Sequence, residues 1–266
     1  MNGAEALIET LAQSGVEVCF ANPGTSEMQL VAAIDGQPKM RAILGLFEGV
    51  VTGAADGYGR MADKPAATLL HLGPGLANGL ANLHNARRAG SPVINVVGDH
   101  ATYHLQYNSP LTSDLNGFAR PVSDWLRTSR SEADLAVVGA ESWAAAMHYP
   151  GRIATVVAPA NHAWGEGSAP AAPLAAPPVP LASDAAVAAA AEALKGTEGP
   201  ACLFLGGRAL REGALEQAGR IAAATGARLI CETFPTRLQR GAGRIAVERL
   251  PYFGEQAAES LVGKTG

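Results

Sequence analysis

The chain has 266 residues, 48% hydrophobic and 17% charged, a globular composition with room for one large or two small cores. Its formal net charge of −4 offers no basic field for nucleic acid, and no run of 18 apolar residues suggests a membrane span. The first residues, MNGAEALIETLAQSG, carry acids on a helical period and do not read as a signal peptide. Cys19, Cys202 and Cys231 form no CxxC or zinc spacing, and Cys19 and Cys231 sit in apolar runs that read as core. A reduced, cytoplasmic setting is expected.

The first 160 residues alternate helix-like and strand-like runs. A helix over 3–14 ends at Gly15, a strand follows over 16–22, and a helix over 25–34 has Thr25 or Ser26 as its expected cap. RAILGLF, 41–47, reads as a buried strand running into a helix with glycines at 49, 53 and 57. Each glycine inside a helix costs roughly 1 kcal/mol relative to Ala. Three at this spacing leave one helix face without side chains, beside the carboxylate of Glu48, and something is expected to press on that face.

A strand over 67–72, a helix over 76–89 and a strand over 92–99 follow. After an ill-defined stretch to about 130, a helix over 132–147 and a strand over 152–159 close the unit. Short strands between helices predict an α/β fold: a parallel sheet flanked by helices on both faces.

The expected divisions are a first domain over 1–163, a Pro/Ala-rich linker over 164–182, and a second α/β domain over 183–266. The second domain reads as helix 183–194 capped by Ser183 or Asp184, strand 200–207, helix 213–226, strand 227–233 and helix 252–263. No further strand is expected after that helix, so this domain reads as incomplete and the chain as a fragment. The closing GKTG is not a P-loop, because Ala258 stands where the leading glycine belongs.

Candidate site residues gather after the strands. Glu48 lies at the carboxyl end of a strand and the amino end of a helix, where open α/β sheets bind ligands; it also reads as a plain helix N-terminal acid. The turn Asn22-Pro23-Gly24-Thr25 either only turns the chain or also presents amides to a ligand. GPGLANG, 73–79, with Asp99 twenty residues on, raises a nicotinamide-dinucleotide (NAD) alternative carried by Gly73, Gly75, Gly79 and Asp99; Pro74 and the motif's internal position weaken it. Asn78, Asn82 and Asn85 form an amide stripe that is either solvated or used at a polar interface. Of the six histidines, His71 points to the same edge as Glu48, and His100 and His104 are lesser candidates; no HExxH motif or other metal spacing is present, and no metal ligands are assigned.

Taken together, ANPGTSE (21–27), FEGVVTGAADGYGRM (47–61), LGPGLANGLANLHNAR (72–87), SPVINVVGD (91–99) and ARPVSDW (119–125) resemble the thiamine-diphosphate-dependent family of acetolactate synthase, benzoylformate decarboxylase and pyruvate decarboxylase. The likeness is nearest to acetolactate-synthase-like large chains. It implies a pyrimidine-binding first domain and part of a middle domain. A third domain, which holds diphosphate and Mg2+ in the family, has no counterpart here. Glu48 matches the glutamate that bonds the cofactor's pyrimidine ring and so activates the thiazolium for attack on a 2-keto acid.

The resemblance further implies Glu48 and His71 as catalytic residues, and Pro23, Gly24, Thr25, Glu48, Gly73, Pro74, Gly75, Asn78 and Asn82 around thiamine diphosphate. The expected partners are a 2-keto acid and further copies of the chain, as a homodimer or homotetramer closing on the glycine face. The substrate region departs from the pattern. Pro110, Leu111, Thr112, Ser113 and Asp114 stand where acetolactate synthases show Phe-Gln-Glu-Thr-Asp, and the His-His pair of pyruvate decarboxylases is absent near Asn108-Ser109. His71 stands where benzoylformate decarboxylases carry an active-site histidine. A benzoylformate-type decarboxylase and a non-catalytic dimerising module are therefore carried as alternatives to the acetolactate-synthase-like reading.

Overall fold

The computed structural model describes residues 1–196 and 201–262 and divides into two compact units, Met1–Val179 and Pro180–Gly266. In the first unit six strands form one wholly parallel sheet: β1 (Val18–Asn22), β2 (Arg41–Leu44), β3 (Ala66–Leu70), β4 (Val93–Asp99), β5 (Trp125–Thr128) and β6 (Ile153–Pro159). Their order across the sheet is β2-β1-β3-β4-β6-β5. β3 and β6 are buried at every position, and β4 at every position but its last. Near-continuous apolar runs are what a sheet covered on both faces requires.

On one face lie α1 (Gly3–Gln13), α2 (Met28–Asp35), α6 (Glu132–Ala146) and α7 (Ala160–Trp164), around a core that includes Leu7, Leu11, Leu30, Ile94 and Leu135. On the other lie α3 (Glu48–Ala62), α4 (Leu72–Ala89) and α5 (Leu115–Ala119), around Val51, Leu70, Leu76, Leu83 and Val97. Fully burying one such side chain contributes about 1.5–3 kcal/mol. A polar line also crosses the buried centre of the sheet. Thr68 Oγ1 donates to Asn95 Oδ1 (2.8 Å), Asn95 Nδ2 donates to Thr155 Oγ1 (3.1 Å), and Ser123 shares a hydrogen bond with Thr155 (2.7 Å). A one-residue slip would break these bonds in the dry interior, so they hold β3, β4 and β6 in register.

Several local expectations change. The run after β1 begins as a 3-10 turn, Thr25–Glu27, before α2, and neither Thr25 nor Ser26 caps it. Instead Glu27 reaches back to the Gly24 amide, 2.8 Å away. β2 is not buried: it is a sheet edge, and Leu44, Leu46 and Phe47 are exposed. α4 starts at Leu72 rather than 76, so the GPG run is its first turn and not a loop. Pro fits there because the first helical amides have no intrahelical partner. α5, β5 and α7 fall where no firm local pattern is present.

The glycine face also reads differently. Asn82 of α4 lies 3.1 Å from where a Cβ on Gly53 would be, and the Phe47 ring covers Gly49. Gly57 faces open space, whereas a Cβ on Gly59 would come within 2.7 Å of the Pro92 carbonyl. Most of that face is thus occupied by the chain itself.

The second unit holds α8 (Asp184–Lys195), β7 (Cys202–Leu205), α9 (Glu212–Thr225), β8 (Arg228–Cys231), β9 (Glu248–Arg249) and α10 (Gly254–Val262). Its three parallel strands lie in the order β7-β8-β9. Ser183 caps α8, and Leu210, Leu215 and Cys231 form the small core. The two-residue β9 was not anticipated, and the GKTG run at 263–266 lies outside the described residues.

Gly57 and Gly59 separate propensity from packing. Gly57→Ala should raise stability by about 0.5–1 kcal/mol, since Ala is the better helix former and meets nothing. Gly59→Ala should lower it by about 1–3 kcal/mol, because the methyl group overlaps backbone. Urea unfolding followed by circular dichroism measures both, and equal shifts in the two variants would refute the assignment.

Candidate active site at the carboxyl edge of the sheet

The chain leaves β1 toward β2 on one side and β3 enters on the other side of β1, so the strand order reverses between β1 and β3. Open α/β sheets leave a crevice at the carboxyl ends of such a pair. The segments around it are Asn22–Glu27 after β1, Glu48 after β2, His71–Gly75 after β3, and Asp99–His100 after β4.

Glu48 opens α3 and is only 7% exposed. Its place in the first turn lets the helix amides stabilise its charge by about 0.3–1 kcal/mol. Oε2 accepts from Asn78 Nδ2 at 2.9 Å. Oε1 takes no hydrogen bond among the described residues, is not sealed from solvent, and lies 3.1 Å from where a Cβ on Gly75 would be. The neighbouring turns are tied as closely. Thr52 Oγ1 donates within range of the Glu48 carbonyl (3.0 Å) and the Gly79 carbonyl (3.1 Å), and Asn82 Nδ2 donates to the Gly49 carbonyl (2.6 Å). Asn78 and Asn82 of the amide stripe therefore bond α3, Asn78 from an exposed position, while Asn85, also exposed, makes no bond to α3 among the described residues.

A second cluster surrounds His71. Its Nδ1 lies 2.7 Å from Oε2 of Glu27, which is fully buried and also accepts from the Gly24 amide. Gly24 lies so close to the imidazole that any Cβ there would overlap the ring. The next residue, Leu72, is buried with φ of 49°, a left-handed conformation that costs a non-glycine residue of order 1–3 kcal/mol. The two clusters meet at Gly75, where the same Cβ position would lie 3.4 Å from Cβ of His71.

The remaining expected residues lie further out. Gly73 packs beneath Ser113 and Phe118, Pro74 is exposed, and Thr25 is exposed in the 3-10 turn. Pro23 faces an apolar groove of about 210 Å³ with Val31, Ile34, Ala42 and Leu44, away from Glu48. His100 bonds the Pro110 carbonyl and stacks edge-on with the exposed His104. His162 is buried against Ser129, and burial pushes its pKa down. Cys19 and Cys231 are buried, and burial lifts the Cys19 thiol to about 12. Glu27 and Thr52 were not singled out from sequence; a carboxylate three residues after a tight-turn glycine was the available signal for Glu27.

The dinucleotide reading fails on this geometry. A fingerprint needs glycines open to a pyrophosphate. Here Gly73 lies under Ser113, Gly75 under Glu48 and Gly79 under Thr52. Among the described residues no group of three or more His, Cys, Asp or Glu side chains is placed to hold a metal ion, and no helix is long and apolar enough to cross a membrane.

A parallel sheet with a buried carboxylate opening the helix after β2 defines an α/β protein with a crevice at a strand switch point. Residues 1–119 match the family model described as thiamine pyrophosphate enzyme, N-terminal TPP binding domain, so this part of the chain is similar to the thiamine-pyrophosphate enzymes. It is 56% identical over 263 residues to a Mycobacterium tuberculosis protein provisionally named acetolactate synthase large subunit IlvX, covering 99% of this chain and 50% of that protein. Over 121 residues it is 32% identical to benzoylformate decarboxylase of Pseudomonas aeruginosa, covering 45% of this chain and 22% of that enzyme. The chain thus spans at most about half the length of these curated relatives.

Two solved structures share the fold. One is a thiamin diphosphate-dependent enzyme, so assigned provisionally, from Mycobacterium smegmatis: TM-score 0.84 and 24% identity over 98% of this chain and 50% of that one. The other is the thiamine diphosphate-dependent 4-hydroxybenzoylformate decarboxylase of Rhodococcus jostii RHA1: TM-score 0.76 and 22% identity over 88% of this chain and 45% of that one.

Asp99 gives a pH test of the edge. Burial lifts its carboxyl above the ordinary range, partly opposed by the His100 amide at 2.8 Å. A folded-state pKa above the unfolded value of about 3.9 means the ionised form costs stability only as pH rises through the folded value. Asp99→Asn should therefore raise the thermal midpoint at pH 7, and this gain should vanish near pH 3. A gain of the same size at both pH values would contradict the burial argument.

Proposed function

We propose that this chain supplies the aminopyrimidine-binding half of a thiamine-diphosphate-dependent 2-keto acid decarboxylase or carboligase of the acetolactate-synthase type. The observation that carries the reading is Glu48: buried, at a helix amino end, with one carboxylate oxygen held by Asn78 and the other still able to accept. This free carboxylate oxygen fits a ring that offers a hydrogen-bond donor, and Gly75 lets α4 lie close beside it. When bound, the cofactor supplies an electron sink for cleavage next to a ketone.

The chain's own residues hold and shield that group. Asn78 fixes the Glu48 carboxylate, Thr52 and Asn82 fix the backbone that carries it, and the low exposure of Glu48 strengthens its hydrogen bond to the ring. Gly24, Gly73 and Pro74 are proposed to border the site through backbone, and Pro23 and Thr25 to shape the turn after β1. Diphosphate and Mg2+ need ligands other than the residues placed here.

The exposed apolar residues Leu46, Phe47 and Val50 flank Glu48 and support a further role for the edge as a contact between copies of the chain, as a homodimer or homotetramer. His71, held by Glu27 at the same edge, favours a benzoylformate-type decarboxylase as the second reading.

Glu48→Gln preserves shape and removes the charge. In the protein loaded with thiamine diphosphate and magnesium it should slow deuterium exchange at the thiazolium C2 by about 10²–10⁴-fold, the range for one positioned acid–base group. The far-ultraviolet spectrum should not change. Wild-type exchange in this variant would remove Glu48 from cofactor activation.

A further inference from the structure

Glu27 is a carboxylate with no surface. It is fully buried, and Oε2 accepts from the Gly24 amide and faces His71 Nδ1. Oε1 has no hydrogen-bond partner and is pressed on Gly98, where any Cβ would overlap it. A buried acceptor without a partner costs about 1–3 kcal/mol, so a merely structural residue here would be better replaced by an apolar one of the same shape. The chain accommodates this group with three local concessions: glycine at 24, glycine at 98, and left-handed backbone at Leu72 immediately after His71. All three surround the same imidazole–carboxylate contact.

The remaining ring nitrogen of His71 is differently placed. Nε2 takes no hydrogen bond among the described residues, and a quarter of the side chain is exposed at the carboxyl edge. Oε2 already accepts from the Gly24 amide, and as the acceptor of the imidazole contact too it leaves the hydrogen on Nδ1. A neutral imidazole carries one N–H, and when Nδ1 holds it Nε2 is an acceptor.

From this geometry we infer that Glu27 is a positioning residue for His71: it fixes the Nδ1–H tautomer and leaves Nε2 a bare acceptor at the carboxyl edge, able to take a proton from a hydroxyl group. The proton passes from the hydroxyl oxygen to Nε2 while Nδ1–H stays bonded to Glu27, whose negative charge balances the imidazolium formed. No oxidant or reductant is required. The inference rests on the reading of this edge as the substrate site, deepening the second reading, but the test of the tautomer uses neither cofactor nor substrate.

The test is a long-range proton–nitrogen correlation spectrum of this chain with nitrogen-15 histidine, at about pH 8.5, above the ordinary histidine pKa of about 6.5. His71→Gln assigns the signal by its loss. The wild type should show protonated Nδ1 and bare Nε2, and Glu27→Met should move the proton predominantly to Nε2. A wild-type ring protonated at Nε2, or at both nitrogens, overturns the inference, as does an unchanged Nδ1–H preference in Glu27→Met. Should Glu27→Met not fold, the wild-type spectrum alone decides. Failure here leaves the Glu48 exchange experiment untouched, and failure there leaves this tautomer in place.

Discussion

How closely α3 can lie against α4 governs everything at the carboxyl edge. The two helices run side by side on one face of the sheet, and their contact is built from glycine on one side and short polar groups on the other. A Cβ at Gly79 would come within 2.8 Å of Thr52, and one at Gly75 within 3.1 Å of the Glu48 carboxylate. With larger residues at 75 and 79 the helices would part, and Thr52 and Asn82 would lose the carbonyls they bond on the facing segments. Glycine inside a helix costs about 1 kcal/mol at each place. That cost is offset here by hydrogen bonds made out of water, each worth about 0.5–1.5 kcal/mol net.

The sheet supplies the other constraint. Because β1 and β3 are adjacent while their connections leave in opposite directions, the turns after them open a gap instead of closing over it. The turn after β1 brings Gly24 and Glu27 to one side, and the turn after β3 brings His71. The polar line from Thr68 through Asn95 to Thr155 keeps β3 level with β4 and β6. A slip of β3 by one residue would carry His71 to the wrong face and separate it from Glu27.

The sequence made the architecture readable because the buried strands are uniform. β3, β4 and β6 are runs of Ala, Val, Leu and Ile between helical stretches, a local pattern that one parallel sheet satisfies. β2 has the same composition yet is a solvent-exposed edge, since exposure depends on which strand lies next in space. The pattern of glycines marked a close approach, and within the chain Asn82 of α4 lies against that face at Gly53 while Gly57 stays open. Glu48 stood out by its place between strand and helix. Glu27 did not, because its meaning comes largely from His71 and Gly98, brought to it by β3 and β4. α4 begins four residues before the expected 76, since Gly-Pro-Gly normally breaks a helix and becomes acceptable only where the amides have no partner to lose.

Two buried carboxylates thus serve one crevice in opposite ways, and the difference lies in what surrounds the second oxygen of each. At Glu27 that oxygen is closed off by Gly98 and sealed from solvent, so no ligand reaches it; the group acts only through Oε2, on the histidine beside it. At Glu48 the second oxygen keeps access to solvent while Gly75 packs closely beside it. A bound donor there would replace water on a charged acceptor, a net gain of about 1.5–3 kcal/mol for the complex. Fold stability alone favours neither arrangement. The contrast is one of surroundings: Oε1 of Glu27 is pressed on Gly98, and Oε1 of Glu48 keeps access to solvent.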